Sequence, residues 1–532
     1  MLRDMRRLFV GLFFGLVFLS FAHVPTANAL ASDPKLFISA DNTFYAYVKA
    51  GETISAAFAR VNQDEPFDTS REDIIITVDG PGMAQQKCVA SKSVPIGQGC
   101  TFAAQTALKS GIWKIQFAVP ATARSYQEVS PAVRWAKNLF NWNITVKGAA
   151  GEQHGRVWTE RYAIRQPADN SYSGDFVNYY ISEDGYIYKA TNRGYNGQIS
   201  TLSADSIGIR SGDKCVSAYR STDVGDPKFS PALGVCGNSY KLFFEEPAGD
   251  LPAKADRWDE TNDWVRPNIS RPSVSELHFT TDKSVDQQSG KITFFLRNFI
   301  GQYQIKIDVD NDGSFDGQSD VVLNQQMKNL SNGLQEVRFP GVDKSGQIIS
   351  PSQPIGIKVE ITKVAEIHLV AADVEGRVGG LELVRLSGDN APTTRVCWND
   401  TELTPFADES LMTKTVDGRD CPDSMGGLHG WGYATSSWGN ARYIEDWVYA
   451  SAKLEGSNQI TYPDAKVTES ATVQKNWWIA ILVVALTIVG GVVIGVLVAR
   501  RRAARQEQLQ QLQGPSSEPV NPSHPDDGKP MA

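Results

Sequence analysis

The sequence predicts an all-β protein: tandem Ig-like β-sandwich modules followed by one C-terminal transmembrane helix. Three observations support this. Short runs rich in Val, Ile, Thr, Phe and Tyr recur along the chain, bounded by Gly, Asn, Asp and Pro, which is the pattern of sandwiches and barrels. Six cysteines fall into three sequence-local pairs. Trp477 to Val498 (WWIAILVVALTIVGGVVIGVLV) has no charged residue, and at about 1.5 Å per helical residue it can cross a hydrocarbon core of roughly 30 Å.

The apolar segment 477–499 orients everything before it. Arg500, Arg501, Arg502 and Arg505 follow it and are expected on the cytoplasmic side, with Trp477 and Trp478 in the opposite headgroup layer. The N-terminus agrees. Arg3, Arg6 and Arg7 precede the apolar stretch Leu8 to Phe21, and small residues follow at Ala27-Asn28-Ala29 and Ala29-Leu30-Ala31. This is the layout of a signal peptide over 1–31; an uncleaved signal anchor is the alternative. No cysteine lies near the cleavage region to carry a lipoprotein anchor, and no LPxTG-type signal precedes the span. The chain is therefore expected in a cell membrane, crossing once, with a long extracellular part and a short cytoplasmic tail, 500–532. That tail is Gln-, Pro- and Ser-rich, with too little apolar surface to offset ordering entropy.

The formal net charge is −8, and the basic residues are not gathered into an extracellular run, which argues against nucleic acid as a partner. The expected pairings are Cys88–Cys100, Cys215–Cys236 and Cys397–Cys421, each inside one proposed module, although six cysteines allow other connectivities. Closing such loops stabilises by about 3 kcal/mol each on the chain-entropy model. Metal binding by these cysteines lacks support, because there is no CxxC and no histidine at ligand spacing.

The first module spans 32–148. In Ser110 to Pro120 (SGIWKIQFAVP), Ile112, Lys114 and Gln116 alternate with Trp113, Ile115 and Phe117, a period of two that suggests one buried face and one wet face. The second spans 149–271 and is dense in aromatics. Glu183-Asp184-Gly185 suits a hairpin turn, since Asp-Gly accommodates positive φ. Tyr179, Tyr180, Tyr186, Tyr188 and Tyr195 suit either cross-strand core pairs or a sugar-binding platform, and core is the simpler reading. Asp250 to Pro272 has the composition of a linker, with Trp258 and Trp264 expected to pack on a neighbouring module.

The third module spans 272–388. Its segment Phe339-Pro340-Gly341-Val342-Asp343-Lys344-Ser345-Gly346 resembles the turn in Ig-like modules of the flagellar hook-capping type, with Phe and Pro where that pattern has Trp and Asp. The resemblance covers about 30 residues and implies a fold only. The fourth segment, 389–456, resembles stretches of large bacterial surface proteins. The residues that carry the likeness are Trp398, Asp400, Gly426, Gly427, His429, Trp431, Gly439, Asn440, Ile444 and Trp447, and it implies no enzymatic activity. A polar stalk, 457–476, leads to the span. Sequons at Asn143, Asn268, Asn329 and Asn399 would matter only in a eukaryotic secretory pathway, and the resemblances favour a bacterial source.

The sharpest chemical signal is Asp308-Val-Asp310-Asn-Asp312-Gly313-Ser-Phe-Asp316. Hard cations need several oxygen ligands at once, and aspartates alternating around a glycine turn bring carboxylates together. Asp308, Asp310, Asp312 and Asp316 match the spacing of an EF-hand loop, with Gly313 at its turn, but Ser319 stands where that loop has Glu, Asp320 comes one residue late, and a strand leads in. Calcium in a strand-flanked loop is the expected cofactor, with an acidic hairpin turn as the alternative. His429 is a candidate base with Asp423 or Asp446, although a structural role in its Gly-rich loop is the simpler reading. No GxSxG, HExxH, P-loop or Rossmann fingerprint occurs, and a nucleophile with distant partners stays open. The leading expectation is a surface protein that binds an extracellular glycan or protein. The alternatives are a membrane-tethered envelope hydrolase and a structural spacer or assembly factor.

Overall fold

Alternation in the sequence becomes alternation in burial. Thr53–Arg60 buries Ile54, Ala56 and Phe58 and leaves Thr53, Ser55 and Ala57 half-exposed. In Gly111–Ala118, Trp113, Ile115 and Phe117 enter the main core, while Ile112 joins a smaller cluster on the other face. The computed structural model describes residues 37–39, 42–61, 72–118, 139–165, 174–197, 199–282, 286–403, 416–432, 438–452 and 454–463. All lie within the unit Met1–Pro463. Their regular secondary structure is entirely β, arranged in several mainly antiparallel sheets. Among the described residues no helix is long and apolar enough to cross a membrane. The expected signal peptide 1–31, span 477–499 and tail 500–532 lie outside them.

Two large sheets share one core. The first has 11 strands, ordered from Thr222–Asp223 through Arg442–Ser451, Lys363–Ala372, Ile199–Asp205, Arg161–Arg165, Phe37–Ser39, Leu139–Gly148 and Thr53–Arg60 to Gly99–Thr106, with Cys397–Trp398 and Gly151–Glu152 alongside. The second has 10 strands, ordered from Thr393–Thr394 through Gly376–Arg385, Ile187–Asn196, Gly174–Ile181, Lys241–Phe243, Val157–Thr159, Thr43–Val48, Gly111–Ala118 and Ile74–Asp79 to Gln86–Ala90. Phe44, Trp113, Tyr188 and Leu383 from the second sheet meet Phe58, Trp142, Leu369 and Ile444 from the first in a single apolar cluster.

Hydrogen bonding runs across the segment boundaries expected from sequence. Phe37–Ser39 pairs with Leu139–Gly148 on one side and with Arg161–Arg165 on the other. Thr43–Val48 likewise joins Gly111–Ala118 to Val157–Thr159. Lys363–Ala372 and Gly376–Arg385 complete the two sheets by pairing with Ile199–Asp205 and Ile187–Asn196. The physical reason is edge satisfaction: a strand edge carries unpaired N–H and C=O groups, and the edge of the next segment supplies their partners.

The third sheet holds Ser273–Thr281, Gly290–Asp308, Val321–Phe339, Ile355–Glu360, Glu455–Gly456 and Gln459–Tyr462, around its own core of Phe294, Ile305, Ile307, Phe339 and Ile357. The start of the expected stalk is thus an edge strand, paired with Ile355–Glu360. The turn at 341–346 forms around Asp343, whose Oδ1 accepts the Ser345 and Gln347 amides at 2.8 Å each.

The disulfides are Cys88–Cys100, Cys215–Cys236 and Cys397–Cys421. Cys88–Cys100 ties the last strand of the second sheet to the last strand of the first. The expected linker at 250–272 contains a hairpin, Lys254–Asp256 with Asn262–Trp264. It covers the outer face of the second sheet, with Trp258 stacked 5.7 Å from Tyr45. Tyr180, Tyr188 and Tyr195 are at most 2% exposed and Tyr186 is buried, so these four are core and form no sugar platform.

Candidate functional site

Strand Arg442–Ser451 places adjacent carboxylates on opposite faces, because side chains alternate along a strand. Asp446 lies on the core side with Ile444 and Val448, and Glu445 lies on the other side with Tyr443 and Trp447. Each carboxylate meets a histidine.

On the core side, His429 Nδ1 is 2.5 Å from Asp446 Oδ1 and Nε2 is 2.6 Å from Asp400 Oδ2. Arg377 donates to Asp446 from Nη1 at 2.9 Å and to the His429 carbonyl from Nη2 at 2.8 Å. Trp398 stacks on the imidazole at 5.0 Å, and Trp431 and Trp438 meet it edge-on. The loop that carries His429 lies flat on strand Gly376–Arg385, through Leu428 to Leu381 and Trp431 to Arg377 backbone bonds. Gly427 permits this approach, since a Cβ there would sit 2.0 Å from the Gly379 carbonyl oxygen. Burial opposes charge on His429, but Asp400 and Asp446 outweigh it and raise the imidazole to about 9. Burial would raise the Asp446 carboxyl, but Arg377 and His429 hold it below the usual carboxylate range.

On the other face, His368 Nδ1 is 2.6 Å from Glu445 Oε1 and Nε2 is 3.4 Å from Glu366 Oε1. The Tyr219 hydroxyl donates to Glu366 at 2.6 Å, and Glu445 also accepts the Arg220 amide at 2.9 Å. Burial opposes charge here too, and Glu366 and Glu445 overcome it, lifting His368 to about 9. In both clusters two carboxylates flank a cationic imidazole. Neither offers an atom to a substrate: the side chains of His429, Asp400, His368 and Glu445 are 0% exposed. A general base must come within hydrogen-bond reach of the proton it takes. These are neutralised charges buried in the body, with Asp423 elsewhere, bound to Thr394 at 2.6 Å.

The aspartate loop joins Gly290–Asp308 to Val321–Phe339. Asp308, Asp310 and Asp312 each place a carboxylate oxygen so that all three lie within 4.8 Å of one another. Asp308 is 1% exposed, and its carboxylate accepts the Asp312 amide at 3.3 Å and the Gly313 amide at 2.9 Å. Burial raises the Asp308 carboxyl, and the Asp310 carboxyl beside it also raises it. Asp310 and Asp312 are exposed. Asp316 turns aside: its side chain is 85% exposed and 3.5 Å from Lys306. Asp320 braces the base of the loop by accepting Val309 N at 3.0 Å and Gly317 N at 2.7 Å.

Some residues of the bacterial-surface pattern converge in space: Trp398, Asp400 and Trp431 all contact His429, which also meets Asp446. Sequence reading did not identify Arg377, or the set Glu366, His368 and Glu445. The available signal was Glu366-Ile-His368, two ionisable side chains in a strand that is otherwise apolar after Lys363. No known protein family, curated protein or solved structure matches the chain.

Proposed function

We propose that the protein is a membrane-anchored surface protein whose disulfide-stapled β body binds an extracellular glycan or protein, with calcium held by the Asp308 loop. The observation that supports this most is cysteine use. All six cysteines are paired across short loops in an all-β body, which suits an oxidising compartment. The charge-free stretch 477–498 with arginines after it supports the anchor. Burial of both histidine clusters weighs against the hydrolase reading.

Calcium rests on Asp308, Asp310 and Asp312, whose clustered carboxylates repel one another unless a cation lies between them. Asp316 and Asp320 have less claim as ligands, the first by its outward position and the second because it lies outside the group of oxygens within 4.8 Å of one another. Such extracellular sites bind at roughly 10⁻⁴–10⁻³ M.

Protease shaving of intact cells that express the full chain tests the placement. Loss of the β body with protection of the arginine tail is expected; the reverse pattern rejects it. Cells displaying the chain should then retain labelled envelope glycans or extracellular proteins that cells lacking it do not. Equal retention by both rejects the binding role.

A further inference from the structure

Lys241 opens the strand Lys241–Phe243, in the middle of the second sheet between Gly174–Ile181 and Val157–Thr159. Leu242 enters the main core, so Lys241 and Phe243 point to the outer face, beneath the hairpin Lys254–Asp256/Asn262–Trp264. A lysine here is unusual. Its side chain is 1% exposed, with the ammonium 5.3 Å over Trp158 and 4.1 Å over Trp264. Among the described residues its one hydrogen-bond partner is Asp263 Oδ2, at 3.2 Å. Asp263 belongs to the hairpin and keeps 26% of its side chain exposed.

A second acid, Glu160, lies within electrostatic range of the pair. Glu160 follows Val157–Thr159, where the chain passes to the first sheet, and Lys241, Asp263 and Arg257 all act on its carboxyl. Burial raises that carboxyl, which favours its protonated form. Removing the Lys241 ammonium from water is costly, Asp263 offers it one hydrogen bond, and the cation–π contacts with Trp158 and Trp264 offset only part of that cost. Converting the pair to an amide removes both charges at once.

We propose that Lys241 and Asp263 are joined by an intramolecular amide bond that locks the hairpin onto the outer face of the second sheet. The step is a condensation with no change of oxidation state. A proton passes from the ammonium to the Asp263 carboxylate across the 3.2 Å contact. The neutral Nζ attacks Cγ of Asp263, the N–C bond forms, and one C–O bond breaks. The Asp263 oxygen leaves as water along the exposed flank of Asp263, carrying the proton received from the ammonium and a second proton lost by the attacking nitrogen. One lysine amine and one aspartic acid become one amide and one water.

Peptide mass mapping of the full chain, purified from membranes and reduced, tests this independently of what the surface binds. A branched peptide containing residues 241 and 263, lighter by one water than the sum of its parts, is expected. Lys241→Arg and Asp263→Ala should each abolish it. The three disulfides should still form in both variants. If the unmutated protein yields two separate peptides with Lys241 open to an amine reagent and Asp263 intact, the proposal is overturned.

Discussion

The two histidine clusters and the aspartate loop solve the same problem in opposite ways. All three gather carboxylates. In the body, Asp400 and Asp446 close on His429 and Arg377, and Glu366 and Glu445 close on His368 with Lys363 3.9 Å from Glu366, so each negative charge has a positive partner. In the loop, Asp308, Asp310 and Asp312 face one another, and the Lys306 ammonium lies instead against Asp316. Buried charge must be neutralised by the chain itself, because the cost of desolvation is incurred on folding. The exposed carboxylates of Asp310 and Asp312 can wait for an ion from outside. The contrast separates groups that hold the fold from groups free to bind.

The most severe way to break this comparison is to remove one partner inside the body. Arg377→Met leaves Asp446 buried with less compensation and should cost about 3–5 kcal/mol. Chemical denaturation of the purified protein measures it, and a loss of under about 1 kcal/mol would show that the cluster is not a matched unit. The double variant Arg377→Met with Asp446→Leu removes the arginine and the carboxylate it pairs with and should lose less than the single one.

Alkaline pH sharpens the same point. His429 and His368 are raised from 6.5 to about 9 in the folded state. Their contribution is therefore fully present below pH 6.5 and is lost as pH rises through about 9. Melting temperature should fall across that window, and a variant with Gln at both 429 and 368 should show a flatter profile from a lower start.

The smallest effect belongs to the loop. Calcium at ten times its dissociation constant should add about 1.4 kcal/mol to the stability of the folded state. The pair Asp310→Asn with Asp312→Asn should abolish that gain and, by relieving carboxylate repulsion, leave stability in chelator equal to or slightly above that of the unmutated protein. Calorimetric titration with calcium alone checks it, and equal heats from both proteins would remove the ion from the proposal.

Much of the β character was legible because it is local. The alternation of Trp113, Ile115 and Phe117 with Lys114 and Gln116 needs only a period of two. The three disulfide pairs were legible for the same reason, since each closes a loop of 12 to 24 residues. The aspartate loop was legible as spacing, but the spacing could not tell that Asp316 swings out while Asp320 turns in. His429 stood out beside its tryptophans. Its partner Arg377 did not, because 52 residues separate the two and no pattern joins them.

By itself, the sequence determined which segments become strands, which cysteines lie near enough to pair, and where carboxylates concentrate, all of which follow from neighbours along the chain. Only the tertiary structure decided that strands from separate segments merge into two shared sheets, and that Asp400, His429, Asp446 and Arg377 become one neutral unit. Edge pairing and charge neutralisation act through space, and they depend on which distant groups leave water together.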